Sequence, residues 1–197
     1  MMRRLAILAI CYALVILAPG CASTPASRFY TLSATTVPAA TSSVLSVVVS
    51  PVSVPSLVDC PQIVVSTGPN QVRLDEFNRW ASPLQDNIAH VVAENLIAML
   101  GTSRVILFPQ TLSADADYRV AIEVQGFESA PGKVAVLDAI WTVFRTKDGR
   151  TERGRTTVRE ELQENGYDAL VAAHSRAVAR LSRDIATAVQ ALDRSGQ

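Results

Sequence analysis

The sequence predicts an α+β domain in which two amphipathic helices pack on one face of a mostly antiparallel sheet. Three observations lead there. Residues 82–100 and 166–192 carry apolar side chains at the spacing of a single helix face. Short β-branched or alternating runs fill much of the remainder. The order is strands, helix, strands, helix, which suits helices gathered on one side of a sheet. No internal repeat or interdomain linker is visible, so residues 28–197 read as one domain.

The chain opens with Arg3-Arg4, an apolar run over residues 5–17, and then Ala18-Pro19-Gly20-Cys21. That is the plan of a secretory signal peptide. The run is shorter than the ~20 residues of a membrane-spanning helix. A Cys directly after small residues looks like a bacterial lipoprotein signal, with 1–20 removed and Cys21 becoming the lipidated N-terminus. An ordinary signal peptide cut near the same place would leave a freely soluble periplasmic protein instead. Residues 21–27 are the lipidated Cys and its tether, and the six residues after Cys21 reach at most ~20 Å.

Residues 28–32 read as a first short strand and 33–43 as a loop rich in Ser, Thr, Ala and Pro. Residues 44–49 are β-branched and apolar, as in a buried central strand, and Pro51 and Pro55 then break regular structure. Residues 63–67 and 71–74 flank Gly68-Pro69-Asn70, a hairpin. The first helix is capped by Ser82, with Pro83 in its first turn and Gln85 completing a capping box; Gly101 stops it. Residues 104–108 form a strand ended by Pro109, and 118–125 alternate as a half-buried strand. A long strand over 134–145 returns over 150–162 through Lys147-Asp148-Gly149. The second helix takes Asp168 as its cap.

Composition narrows the function. Loss of Arg3 and Arg4 from the 18 Lys+Arg leaves 16 against 18 Asp+Glu, without the basic surplus of a nucleic-acid binder. After loss of Cys11, a lipidated Cys21 leaves Cys60 without an intrachain partner, so the fold rests on its apolar core. The two histidines read as structural: His90 falls on a polar helix face and His174 at a core edge. No metal-ligand spacing, nucleophile elbow or Gly-rich phosphate loop is present, so neither a metal, a cofactor nor catalysis is expected.

Two surface motifs remain. Arg153, Arg155 and Arg159 fall on one sheet face, either as a basic row for a partner or lipid headgroups or as a solvated edge strand. Residues 75–84 hold Phe77, Arg79, Trp80, Pro83 and Leu84. These either staple the hairpin to the helix, with Arg79 paired to an acidic neighbour, or present an aromatic and Arg patch to a partner.

Together with the lipoprotein-like start, the run Phe29-Tyr30-Thr31-Leu32, the segment 51–61, Gln62-Ile63-Val64-Val65 and Arg79-Trp80-Ala81-x-Pro83-Leu84 resemble the PqiC family, the ABC-type transport auxiliary lipoproteins. The family pattern has Asp-Arg-Pro where this chain has Asp59-Cys60-Pro61. The resemblance spans roughly residues 28–192. It implies a non-enzymatic, outer-membrane-anchored partner of an MCE-domain protein, working with an ABC-type system that moves lipids across the periplasm and supports envelope integrity. A homo-oligomer is part of that implication. Ala22, in place of the Asp of an inner-membrane retention signal, favours sorting to the outer membrane. A periplasmic lipid carrier with an apolar groove under the helices is the competing expectation.

Overall fold

The computed structural model describes residues 25–36, 43–108 and 115–195. The signal segment, Cys21 and Pro109 lie outside them. The elements run β1 (Arg28–Tyr30), β2 (Val47–Ser53), β3 (Gln62–Gly68), β4 (Gln71–Trp80), α1 (Leu84–Leu100), β5 (Val105–Leu107), β6 (Tyr118–Ala130), β7 (Val134–Arg145), β8 (Thr151–Glu161) and α2 (Tyr167–Arg194). The class is α+β as expected, but the strands form two mixed sheets, β5-β2-β6-β7-β8 and β1-β4-β3. β6, β7 and β8 form an antiparallel meander, and β3 and β4 a hairpin. β1 joins β4 in parallel, and β2 runs parallel to both β5 and β6. Parallel neighbours need crossovers, and α1 supplies the one from β2 to β5.

Val47, Val48 and Val49 at the start of β2 are 0–1% exposed, so both faces of that strand are covered there. Pro51 does not end the strand. It sits in a register shift between Val49 and Val52, a bulge where a missing N–H is tolerated. α1 lies over β2 and β5, α2 over β6, β7 and β8, and the helices pack on each other. Leu170, Val178, Leu181, Ile185 and Val189 of α2 and Ile88, Val92 and Leu96 of α1 are fully buried. These are the faces a lipid groove would need, and they are occupied by the sheet.

The helix starts differ from expectation. Pro83 is the residue flanking α1, and its carbonyl accepts from the Asp86 and Asn87 N–H groups; no side chain caps the helix, so Ser82 and Gln85 form no capping box. α2 likewise starts after Gly166 without a side-chain cap, and Asp168 lies in its first turn, where a negative charge still favours the helix dipole. Tertiary packing of the apolar faces takes over what a cap would contribute. Gly101 ends α1 in the left-handed conformation, as the sequence implies.

α2 is tied to the sheet by a polar relay. The Trp141 indole N–H donates to Thr156 Oγ1 at 3.0 Å, and that hydroxyl donates to Asp184 at 2.7 Å. The indole lies flat across its cross-strand partner Gly154, where a Cβ would come within 2.2 Å of the ring. Gly154→Ala should therefore destabilise the protein by about 1–3 kcal/mol through overpacking. Urea unfolding of the variant against the parent checks this.

Candidate functional site

β4 extends through residues that the hairpin reading left unassigned, and Asp75 explains how. Its carboxylate is buried under the small sheet. Oδ1 accepts from the Phe77 and Asn78 N–H groups and from Asn78 Nδ2 at 2.9–3.0 Å. Oδ2 accepts from Tyr167 Oη at 2.5 Å and Arg73 at 3.3 Å. Burial pushes this carboxyl upward, but the bonds from Tyr167, Asn78 and Phe77 outweigh it and hold it at about 2. Tyr167, half-buried and facing that carboxylate, is pushed up to about 12. The register shift between the Gln62–Arg79 and Ile63–Asp75 pairs accommodates the turned backbone.

Beyond Asp75 the strand delivers the aromatic and Arg motif. Trp80 is 5% exposed and meets Phe127 edge-on at 6.1 Å. Its N–H donates to the Pro61 carbonyl, and the Ala81 N–H donates to the Tyr30 carbonyl, both at 2.8 Å. Leu84 is buried at the start of α1. Phe77, at 38%, faces outward, and Arg79 bonds the Glu76 carbonyl at 3.0 Å and its carboxylate at 3.5 Å. The motif thus divides into inward anchors, Trp80 and Leu84, and outward groups, Phe77 and Arg79. Asp59, Cys60, Pro61, Trp80, Ala81, Ser82, Pro83 and Leu84 line a cleft of about 290 Å³, bringing together two sequence segments that carried the family resemblance.

Arg153, Arg155 and Arg159 are exposed along β8, and Arg155 pairs with Asp138 at 2.5 Å. Arg155 and Arg159 line a second cleft, of about 620 Å³, with Arg176, Arg180 and Arg183 of α2. The α2 arginines were missed in the sequence, although their one-turn spacing marks a common helix face.

His174 is not at a core edge but fully buried. It stacks on Phe127 at 3.9 Å, and its Nε2 lies 2.8 Å from Ser129 Oγ. Burial pushes this imidazole down to about 3. Among the described residues Nδ1 has no partner, so the Ser–His contact has no orienting carboxylate of a catalytic relay there, and Ser129 is itself buried. It is a packing contact. Cys60 Sγ donates to backbone carbonyls, that of Gln62 at 3.5 Å and that of Leu57 at 3.9 Å.

Two outcomes follow. Trp80→Ala should cost about 3–5 kcal/mol of stability, whereas Phe77→Ser should change it by no more than about 0.5 kcal/mol; chemical denaturation separates them. Asp75 stabilises the fold above its ordinary 3.8, and that support is withdrawn as pH falls toward 2. Tyr167→Phe removes a donor from the carboxylate, so the acid-unfolding midpoint, followed by circular dichroism, should move to higher pH.

The fold has solved relatives. A crystal structure of an uncharacterized protein has a TM-score of 0.69 at 22% identity, covering 84% of this chain and 99% of the other. A Xanthomonas campestris protein of the DUF330 family also has a TM-score of 0.69, at 20% identity, covering 86% of this chain and 100% of the other. Both are likenesses of fold. No curated protein matches the chain. The family model for the ABC-type transport auxiliary lipoprotein component matches residues 30–186, taking in both clefts and nearly all of the two sheets and two helices. The chain therefore belongs to that PqiC-like family and is an auxiliary component of ABC-type transport.

Proposed function

We propose that this protein is a non-enzymatic accessory lipoprotein, anchored through Cys21 at the periplasmic face of the outer membrane. There it docks an MCE-domain protein of an ABC-type lipid transport system and supports envelope integrity. The observation that carries this reading is the family match over residues 30–186. The sequence before it supplies the anchor: an apolar run, small residues, then Cys21 and Ala22. Several acyl chains on one residue hold a protein stably at a bilayer, where a single chain does so only reversibly.

Docking of this kind needs a rigid surface, and the cleft beside Trp80 is one. Its walls are strand ends and the start of α1, pinned by the Trp80–Pro61 and Ala81–Tyr30 backbone bonds. Phe77 and Arg79 stand nearby on the same strand, and aromatic and Arg side chains are favoured interface anchors.

The test uses the full-length chain expressed in a bacterial host with its neighbouring transport genes. The mature N-terminal peptide should carry acyl mass on Cys21, and the protein should fractionate with outer membranes. Detergent extracts should hold it in complex with an MCE-domain protein. Phe77→Ser with Arg79→Glu should reduce that complex while leaving the thermal midpoint near the parent's, because an exposed ion pair contributes at most about 1 kcal/mol. An unacylated protein found free in the periplasm, or an extract without an MCE partner, overturns the proposal.

A further inference from the structure

The open edge of β8 has a chemistry of its own. β8 is the last strand of the five-stranded sheet. Its register with β7 runs without a shift from Val134–Glu161 to Phe144–Thr151. At one end the Leu162 N–H donates to the Lys133 carbonyl at 3.1 Å, and at the other the Arg145 N–H donates to the Arg150 carbonyl at 2.8 Å. Antiparallel pairing alternates residue by residue, so the even-numbered residues of β8 turn their peptide groups to β7. The peptide groups of Arg153, Arg155, Thr157 and Arg159 therefore point out of the sheet, without a backbone partner among the described residues.

The other wall of this edge is α2. Arg176, Arg180 and Arg183 line it, and the Trp141–Thr156–Asp184 relay fixes its distance from the strand. Arg176 pairs with Glu160 at 2.9 Å and Arg180 more loosely with Asp184 at 3.8 Å. Arg159 and Arg183 have no ion pair among the described residues. The groove thus offers a row of unused main-chain donors and acceptors beneath an excess of guanidinium groups.

We propose that this groove binds an extended acidic segment of a partner protein as an added strand. The segment's main chain bonds to the outward peptide groups of β8, and the carboxylates on its α2 side meet Arg180 and Arg183. A lipid headgroup would satisfy the arginines but leave the strand edge unpaired. Pairing with the same edge of a second copy would set Arg153, Arg155 and Arg159 against their own counterparts. An acidic peptide answers both features, in the manner of strand addition at other sheet edges. The inference stands on the edge and its charge, whichever transporter the protein serves.

The probe is a labelled decapeptide alternating Glu and Val, with a Lys–Val peptide as control, titrated into the full-length protein in detergent. The Glu–Val peptide should bind, weaken as salt rises, and slow amide exchange at Arg155, Thr157 and Arg159. Arg180→Glu with Arg183→Glu should weaken it by about tenfold or more. Thr157→Pro keeps every charge and the backbone pairing to β7, loses the exposed Thr157–Asp138 side-chain bond and deletes one outward N–H, and it should also weaken binding, with thermal unfolding confirming the fold. Several results overturn the proposal: no binding of the Glu–Val peptide, equal binding of the Lys–Val peptide, or affinity unchanged in the Thr157→Pro variant. So do binding to phosphatidylglycerol vesicles in place of the peptide, and self-association lost in the Arg180→Glu, Arg183→Glu variant.

Discussion

The seat of the small sheet on the rest of the molecule depends on one buried carboxylate. Asp75 collects donors from its own strand, from Arg73 and from the first residue of α2. A carboxylate under a sheet is costly unless its lone pairs are filled, and here backbone, amide, phenol and guanidinium fill them. The result is a fixed geometry between β4 and α2, reinforced by the Tyr30–Tyr167 ring contact at 6.0 Å. Without it the strand would have no reason to turn at Asp75, and Trp80 would not arrive at Phe127. The cleft beside α1 lies at the far end of that strand, where the Trp80–Pro61 and Ala81–Tyr30 backbone bonds close it.

The Asp75 node also shows why part of the fold was readable from the sequence and part was not. Local signals worked where local physics decides. Gly68-Pro69-Asn70 makes its turn, Gly101 takes the left-handed stop, and strand 134–145 appears with the boundaries its pattern implies. The stripe of α2 is buried residue for residue. Signals failed where a distant group decides. Ser82 and Asp168 look like caps, but both helices are held by their packed faces instead. Pro51 looks like a breaker, but a bulge absorbs it. β4 runs on to Trp80 because Tyr167, 92 residues away, satisfies Asp75.

The candidate sites follow the same division. Segments 59–61 and 80–84 could be picked out separately, yet their meeting in one cleft comes from the register shift in the β3–β4 hairpin, which sets Gln62 opposite Arg79 and the Trp80 backbone N–H on the Pro61 carbonyl, an irregularity that no local pattern announces. The arginines of β8 were visible as a row, while those of α2 became meaningful once the helix was seen to run beside that edge.

Edge strands explain the asymmetry of the larger sheet. One edge, β5, is three residues long, and so offers little to pair with. The other, β8, is 11 residues long and carries its protection as charge rather than as brevity. Arginine protects an edge against chains of the same sign or of none, but it is an invitation to acidic ones. A row that merely discouraged aggregation would need no second bank of guanidinium groups on the helix that flanks the other face of the same edge. α2 places Arg180 and Arg183 there while spending its other faces on the core. These arginines are solvent-exposed and contribute little to stability, so their charge can be varied without disturbing the packing that holds the groove open. Selective protection of the edge, and recognition at it, then become the same physical property read by different partners.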